Sequence, residues 1–259
     1  MQIIDTHAHL DHLPDVKQAL VRAAQAGVTD IIAVGVDLNA NKINRQIKMS
    51  TQNPRIHVAF GIHPANIKLE EIEETFRFIR EHIREAIAVG ETGLDYWYKW
   101  VKKDEAAKQA QRDCFQKHLE LAREFDLPII IHSRGAWQDC LDMTKAAGVR
   151  RANFHWYSGP VDILKEILSC GFFVSTSPSV GYSPQSREAM SNAPIKQTLI
   201  ETDAPVFYRT GEEQGFQAEP KDVVKTLQAY AKLKNMNEQD ALLILNNNAR
   251  KFFGIEENK

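Results

Sequence analysis

Six side chains of the kind that ligate metal ions close short apolar runs: His7 and His9 in IIDTHAH, Glu91 in AIAVGE, His132 in LPIIIH, His155 in RRANFH and Asp203 in TLIETD. Runs of this length, rich in Ile and other apolar residues, read as β-strands. Side chains scattered from residue 7 to residue 203 but always at a strand exit can converge only if the strands lie parallel and side by side. A closed barrel with a metal centre at one mouth meets that condition. An open doubly wound sheet would leave His7 and His9 on one strand far from Asp203 on another.

Helical periodicity fills the intervals. Helices are expected near 15–26, 40–51, 69–84, 105–125, 136–147, 161–169, 184–192, 220–234 and 238–252, alternating with the strands above and with VTDIIAVG, IHVAFGIH and FFVSTS. Eight strands alternating with helices predict an α/β fold, a (β/α)8 TIM barrel with its site at the C-terminal mouth of the strands. A chain of 259 residues matches the roughly 250 typical of such a barrel, and no Ser/Gly-rich linker or charge block divides it, so residues 1–259 are expected to form a single domain. The stretch PVFYRTGEEQGFQAE at 205–219 lacks periodicity and follows the eighth strand, which makes it a candidate binding loop or an ordinary surface connection.

Each candidate ligand has a bland alternative. His-x-His puts two imidazoles on one face of a strand, yet such a pair alone is more often a core or surface pair. His132 and His155 could each be satisfied core histidines. Glu91 is harder to explain so, because a carboxylate ending an apolar strand needs a cation or strong hydrogen bonds. Six ligands exceed the three that a catalytic zinc usually takes. Two divalent cations about 3.5–4 Å apart, sharing a bridging carboxylate, account for the surplus. Glu91 is the expected bridge, with His7, His9 and Asp203 around one ion and His132 and His155 around the other. Four histidines favour Zn, Mn, Fe, Co or Ni over Mg.

The bulk properties restrict partners. With 32 Lys+Arg against 34 Asp+Glu the net charge is −2, so no global basic field draws in long duplex DNA. Cys114, Cys140 and Cys170 lack disulfide or zinc-site spacing, which suits a reducing compartment. With no signal-peptide pattern and no long apolar run, a cytoplasmic protein without a membrane partner is expected.

The motifs DTHAHLD (5–11), GIHP (61–64), GETGLD (90–95), LPIIIHSR (127–134), ETDAP (201–205) and NARKFF (248–253) closely resemble those of the TatD family of metal-dependent deoxyribonucleases within the amidohydrolase superfamily. They span essentially the whole chain in the family's order. The resemblance implies a TIM barrel with a divalent-metal site that hydrolyses phosphodiester bonds, with 3′→5′ removal of nucleotides from single-stranded DNA a known family activity and Mg often used. It also implies that His63 contacts phosphate; the alternative is a histidine bonded to loop backbone beside Pro64. Arg134 could make a bidentate phosphate contact or partner a carboxylate such as Glu201. Asp203 is a candidate general base as well as a ligand. The sequence departs from the family pattern at Trp156, where a small residue or cysteine is more usual, and at GFQAEP (215–220), which lacks an asparagine.

The run YWYKWVKK at 96–103 interleaves aromatic and basic residues. Bases stack on aromatic rings for about 1–3 kcal/mol each regardless of sequence. Tyr96, Trp97 and Trp100 are therefore candidate contacts for a single strand or frayed end, with the lysines on phosphates; the alternative is an aromatic lid with solvated lysines. His12, His57, His82 and His118 show no convergent partners in the sequence. The expected function is a two-metal deoxyribonuclease trimming DNA ends, as in repair. RNA or a small molecule is an alternative substrate, and a carbonyl hydrolase acting on an amide, lactone or aminoacyl-tRNA ester is the alternative enzyme. A non-catalytic scaffold would carry a broken ligand set, and none of the six is missing.

Overall fold

The structure, a computed structural model, describes residues 2–209 and 215–256. Eight strands form one parallel sheet in sequence order: β1 Ile3–Ala8, β2 Val28–Val34, β3 Arg55–Phe60, β4 Ala86–Gly93, β5 Ile129–His132, β6 Ala152–Phe154, β7 Phe173–Thr176 and β8 Thr198–Ile200. Helices α1 Val16–Gln25, α2 Leu38–Ser50, α3 Ile72–His82, α4 Glu105–Glu124, α5 Trp137–Ala147, α6 Val161–Ser169 and α7 Pro184–Asn192 connect them, and α8 Val223–Leu233 and α9 Glu238–Phe253 follow. The strands and helices expected from periodicity are all present, with ends shifted by a few residues. Aspartates cap several helices: Asp15, Asp37 and Asp104 each accept a backbone N–H three residues on.

The sheet closes through the segment that follows β8. Asp203 N–H donates to His7 O at 2.9 Å, His9 N–H donates to Ala204 O at 2.8 Å, and Ala8 and Ala204 form a parallel bridge. Thr6 Oγ1 donates to Ile200 O, and the Thr202 hydroxyl donates to Asp5. The seam of the barrel is therefore the place where three candidate ligands meet.

Two apolar cores result. The larger lies between sheet and helices. The smaller fills the barrel's lower interior, where Ile4, Ile32, Ala59, Ala88, Ile130 and Leu199 pack against Phe252, Phe253 and Ile255 at the end of α9. Helix α9 thus plugs the N-terminal end and leaves the polar groups at the other mouth. Close strand approach there requires glycine: a Cβ on Gly61 would sit 2.4 Å from Glu91 O, and one on Gly93 2.0 Å from His132 O. Among the described residues no helix is long and apolar enough to cross a membrane.

Candidate metal centre

All six expected ligands converge at the C-terminal mouth, around the carboxylate of Glu91. One of its oxygens, Oε2, lies 3.3 Å from His7 Nε2 and 3.4 Å from His9 Nε2, and the same two nitrogens lie 3.4 and 3.1 Å from Asp203 Oδ1. The other oxygen, Oε1, lies 3.0 Å from His132 Nδ1 and 2.8 Å from His155 Nε2. These are separations of groups facing a common point. His7, His9 and Asp203 satisfy the spacing of a candidate cation site, as do His63, Glu91 and His132. The buried atoms His7 Nδ1, His7 Nε2, His9 Nδ1 and Glu91 Oε2 have no hydrogen-bond partner. Buried polar atoms are rarely left so, and the orphaned set consists of imidazole nitrogens and a carboxylate oxygen. That donor set fits a divalent cation.

The electrostatics agree. Burial alone would raise the Glu91 carboxyl, yet the surrounding His155, His63 and His7 rings pull it well below its usual range. Burial would lower His9, but the Asp203 hydrogen bond and the charge of Glu91 lift it to about 9. His155 is likewise raised against its burial, by Glu91 and Glu201. The carboxylates draw positive charge onto their neighbours, and a bound cation supplies that charge while releasing protons.

His63 behaves differently. Its Nδ1 accepts the Ala65 N–H at 3.0 Å, so in the neutral ring the proton sits on Nε2, 3.6 Å from Glu91 Oε1. Burial, reinforced by His132 and the other imidazoles, holds it down to about 3 despite Glu91. A neutral ring with Nε2 protonated donates a hydrogen bond and offers no lone pair there, so we set His63 apart from the ligands despite its spacing.

Two carboxylates buttress the histidines. Asp95 Oδ2 lies 2.8 Å from His132 Nε2 and accepts Arg134 Nε at 2.8 Å, and Glu201 Oε1 lies 3.3 Å from His155 Nδ1 while Ser175 Oγ donates to Oε2 at 2.5 Å. Such outer carboxylates fix ring orientation and raise ligand basicity. The carboxylate partner of Arg134 is thus Asp95 and not Glu201, whose oxygens are taken by His155 and Ser175. Asp95 was visible in GETGLD but carried no separate signal, because it follows β4 in a turn with no apolar run to mark it.

A cleft of about 730 Å³ opens over the centre, lined by His9, His63, Glu91, His132, His155 and Asp203 below and by Trp97, Tyr98, Arg134, Trp137, Trp156 and Tyr182 above. Of the three aromatic residues expected to meet substrate, Trp97 lines it. Trp100 is exposed and stacks on Tyr98 at 5.8 Å, outside the lining. Tyr96 turns away: its hydroxyl donates to Asp139 Oδ2 at 3.0 Å and accepts from Arg112 Nη1 at 3.1 Å. Arg134 lies over the Tyr98 ring at 4.9 Å. Trp137, unmarked in the sequence, meets Trp97 edge-on at 5.7 Å. Trp156, where the sequence departs from the family pattern, has φ 41° and donates Nε1–H to Ser179 Oγ at 2.8 Å, which fixes a bulky ring beside His155 in a conformation rare for its type.

Other histidines acquire partners that the sequence concealed. His12 lines the cleft beside Asp11, His57 pairs with Asp30, His82 with Glu85, and His118 bonds the Ile62 backbone. Within the 205–219 stretch, β9 Phe207–Tyr208 pairs antiparallel with β10 Phe216–Gln217 and Val206 lines the cleft; residues 210–214 lie outside the described ones. Glu219 of GFQAEP is held by Arg22 at 2.7 and 2.8 Å, remote from the ligands.

The family described as TatD related DNase matches residues 4–254. An uncharacterized metal-dependent hydrolase of Bacillus subtilis, YabD, is 30% identical over 98% of this chain and 99% of its own. Human deoxyribonuclease TATDN3 is 24% identical over 97% of this chain and 94% of its own. Among solved structures, the TatD homologue YjjV from Escherichia coli superposes with a TM-score of 0.88 at 25% identity, covering 98% of both chains.

Proposed function

From the premise that this chain belongs to the TatD related DNase family of metal-dependent hydrolases, we propose that it hydrolyses phosphodiester bonds at the ends of single-stranded DNA, with two divalent cations at the barrel mouth. His7, His9 and Asp203 would hold one, His132 and His155 the other, and Glu91 would serve both. Bound there, the cations would supply the charge that polarises the phosphodiester and eases ionisation of water. The observation that carries this reading is the division of Glu91: Oε2 faces His7 and His9, Oε1 faces His132 and His155, and Oε2 has no protein hydrogen-bond partner.

The chain's own groups supply the rest. Asp203, at the seam and open to the cleft, accepts the proton of the attacking water. His63 donates its Nε2–H to a non-bridging phosphate oxygen, and Arg134, stacked on Tyr98 and braced by Asp95, presents its guanidinium to the same phosphate. Trp97 and Trp137 offer a wall for the terminal base, and Trp100 with Lys102 and Lys103 lies further along the exposed rim for the strand beyond. The human relative named a deoxyribonuclease supports the choice of DNA.

The test is release of mononucleotides from end-labelled single-stranded DNA with Mg or Mn, comparing wild type, Glu91→Ala and a chelated sample. Release that vanishes in both controls is the expected result. No release from protein carrying two ions would overturn the nuclease reading in favour of a carbonyl substrate.

A further inference from the structure

Helix α4 lies beneath two loops that deliver functional groups from different strands. Its buried face runs through Gln111, Cys114, Phe115, His118, Leu119 and Ala122, a helical spacing that is apolar except at Gln111 and His118. Gln111 is 1% exposed and uses both ends of its amide: Oε1 accepts Asp95 N–H at 2.9 Å, while Nε2 donates to Asp95 O and to Pro64 O, each at 3.3 Å. One side chain therefore clasps the backbone of Asp95 on both sides and ties it to the turn after His63. His118 adds a second tie, accepting Ile62 N–H at 3.2 Å and bonding Cys114 O at 2.8 Å.

What hangs from Asp95 makes this more than packing. Its carboxylate meets His132 Nε2 and Arg134 Nε, and its Oδ1 accepts Trp97 N–H at 2.9 Å. A shift of the Asp95 backbone would move a candidate ligand, a candidate phosphate contact and the aromatic wall together. Gln111 itself is neutral, and its amide accepts one N–H while its two N–H groups reach two carbonyls, a combination that neither a hydroxyl with one donor nor a carboxylate with none can supply.

We propose that Gln111 is a positioning residue that sets the affinity of the His132 side of the metal centre through Asp95, without touching the ions. The inference rests on the metal-centre reading and is independent of the nucleic-acid substrate. The His7–His9–Asp203 side hangs from the seam between β1 and the end of β8 and shares no hydrogen bond with Gln111, so the two sides respond differently.

The experiment is Mn2+ titration of the full chain by calorimetry, with no substrate present. Gln111→Met, similar in length but without the amide, is expected to weaken one binding step about ten- to a hundredfold, the usual cost of losing outer support, and to leave the other unchanged. Gln111→Glu, which keeps the Asp95 N–H bond but faces two carbonyls with a carboxylate, should weaken the same step and serves if the Met variant does not fold. In an Asp95→Asn background Gln111→Met should add little, because both act on one path. Asn248→Leu, which breaks two hydrogen bonds to Ile195 O and Thr198 O elsewhere in the barrel, should change neither step. Equal weakening of both steps, an effect matched by Asn248→Leu, additivity with Asp95→Asn, or no change would overturn the proposal. Wild-type protein that takes up no Mn2+ would overturn it together with the metal centre.

Discussion

Asp30 and Glu91 are both buried carboxylates in one barrel, near its opposite ends, and they are satisfied in opposite ways. Asp30, in β2, has Arg55 Nε at 2.8 Å and His57 Nε2 at 2.9 Å, so a permanently charged guanidinium neutralises it within the fold. Glu91, at the other mouth, is ringed by His7, His9, His63, His132 and His155 at 2.8–3.6 Å, and among the described residues no Lys or Arg pairs with it. The lower end closes its account with apolar packing and an internal ion pair. The upper end leaves imidazole nitrogens and a carboxylate oxygen without hydrogen-bond partners. A buried charge is costly unless compensated, and at the mouth the chain itself offers only imidazoles, whose protons a bound cation would replace.

Removing the proposed bridge should give the largest effect. Glu91→Ala is expected to lower hydrolysis about 10⁴-fold, roughly 5.5 kcal/mol of barrier, and to abolish binding of at least one ion, measured by turnover and metal content. A variant that keeps both ions would break the contrast at its root. Phe252→Ala, in the plug, should cost about 3–5 kcal/mol of stability, read by denaturant unfolding, with ion binding and turnover intact where the protein is folded. Loss of ion affinity in that variant would show that the two ends are not separable. Asp95→Asn should weaken ion binding and turnover about ten- to a hundredfold with little change in thermal midpoint.

Trp97→Ala should raise KM on single-stranded DNA about fivefold with kcat held, the low end of base stacking for a ring more than half exposed at 59%. A kcat effect of the same size would place Trp97 closer to the reacting atoms than the cleft rim. The smallest effect tests the lower ion pair. Burial opposes ionisation of Asp30, but the His57 and Arg55 hydrogen bonds prevail and hold its carboxyl below the usual range. Its contribution is then complete above the unfolded value of about 4 and is lost as pH falls through the lower folded value. The thermal-midpoint gap between wild type and Asp30→Asn should therefore be constant near neutrality and shrink below pH 4. A gap independent of pH would mean that charge plays no part.

The six candidate ligands were legible because each ends an apolar strand, and strand exits in a parallel barrel share one mouth. The barrel itself followed from the alternation of periods. What the sequence concealed are the partners. Asp95 and Glu201 acquire their roles only from the register that sets β4 beside β5 and β7 beside β8, which no local pattern reports. Tyr96 reads as a base-stacking residue, yet Arg112 and Asp139 from two different helices take its hydroxyl. Gln111 did leave a trace, a polar residue on the apolar face of α4, but its targets are backbone atoms of distant loops. The closure that brings His7 and His9 to Asp203 was legible, but its bonds were not, since β8 ends at Ile200 and the closing bonds belong to the segment beyond it.

The central claim, that the groups converging on Glu91 are a two-cation centre, is tested most directly by an anomalous difference map from crystals grown with Mn2+. The account predicts two peaks, one beside His7, His9 and Asp203 and one beside His132 and His155, with the Glu91 carboxylate between them. A map with no peak at the mouth, or with density only at the more exposed His9, Asp11 and His12 group, would contradict it.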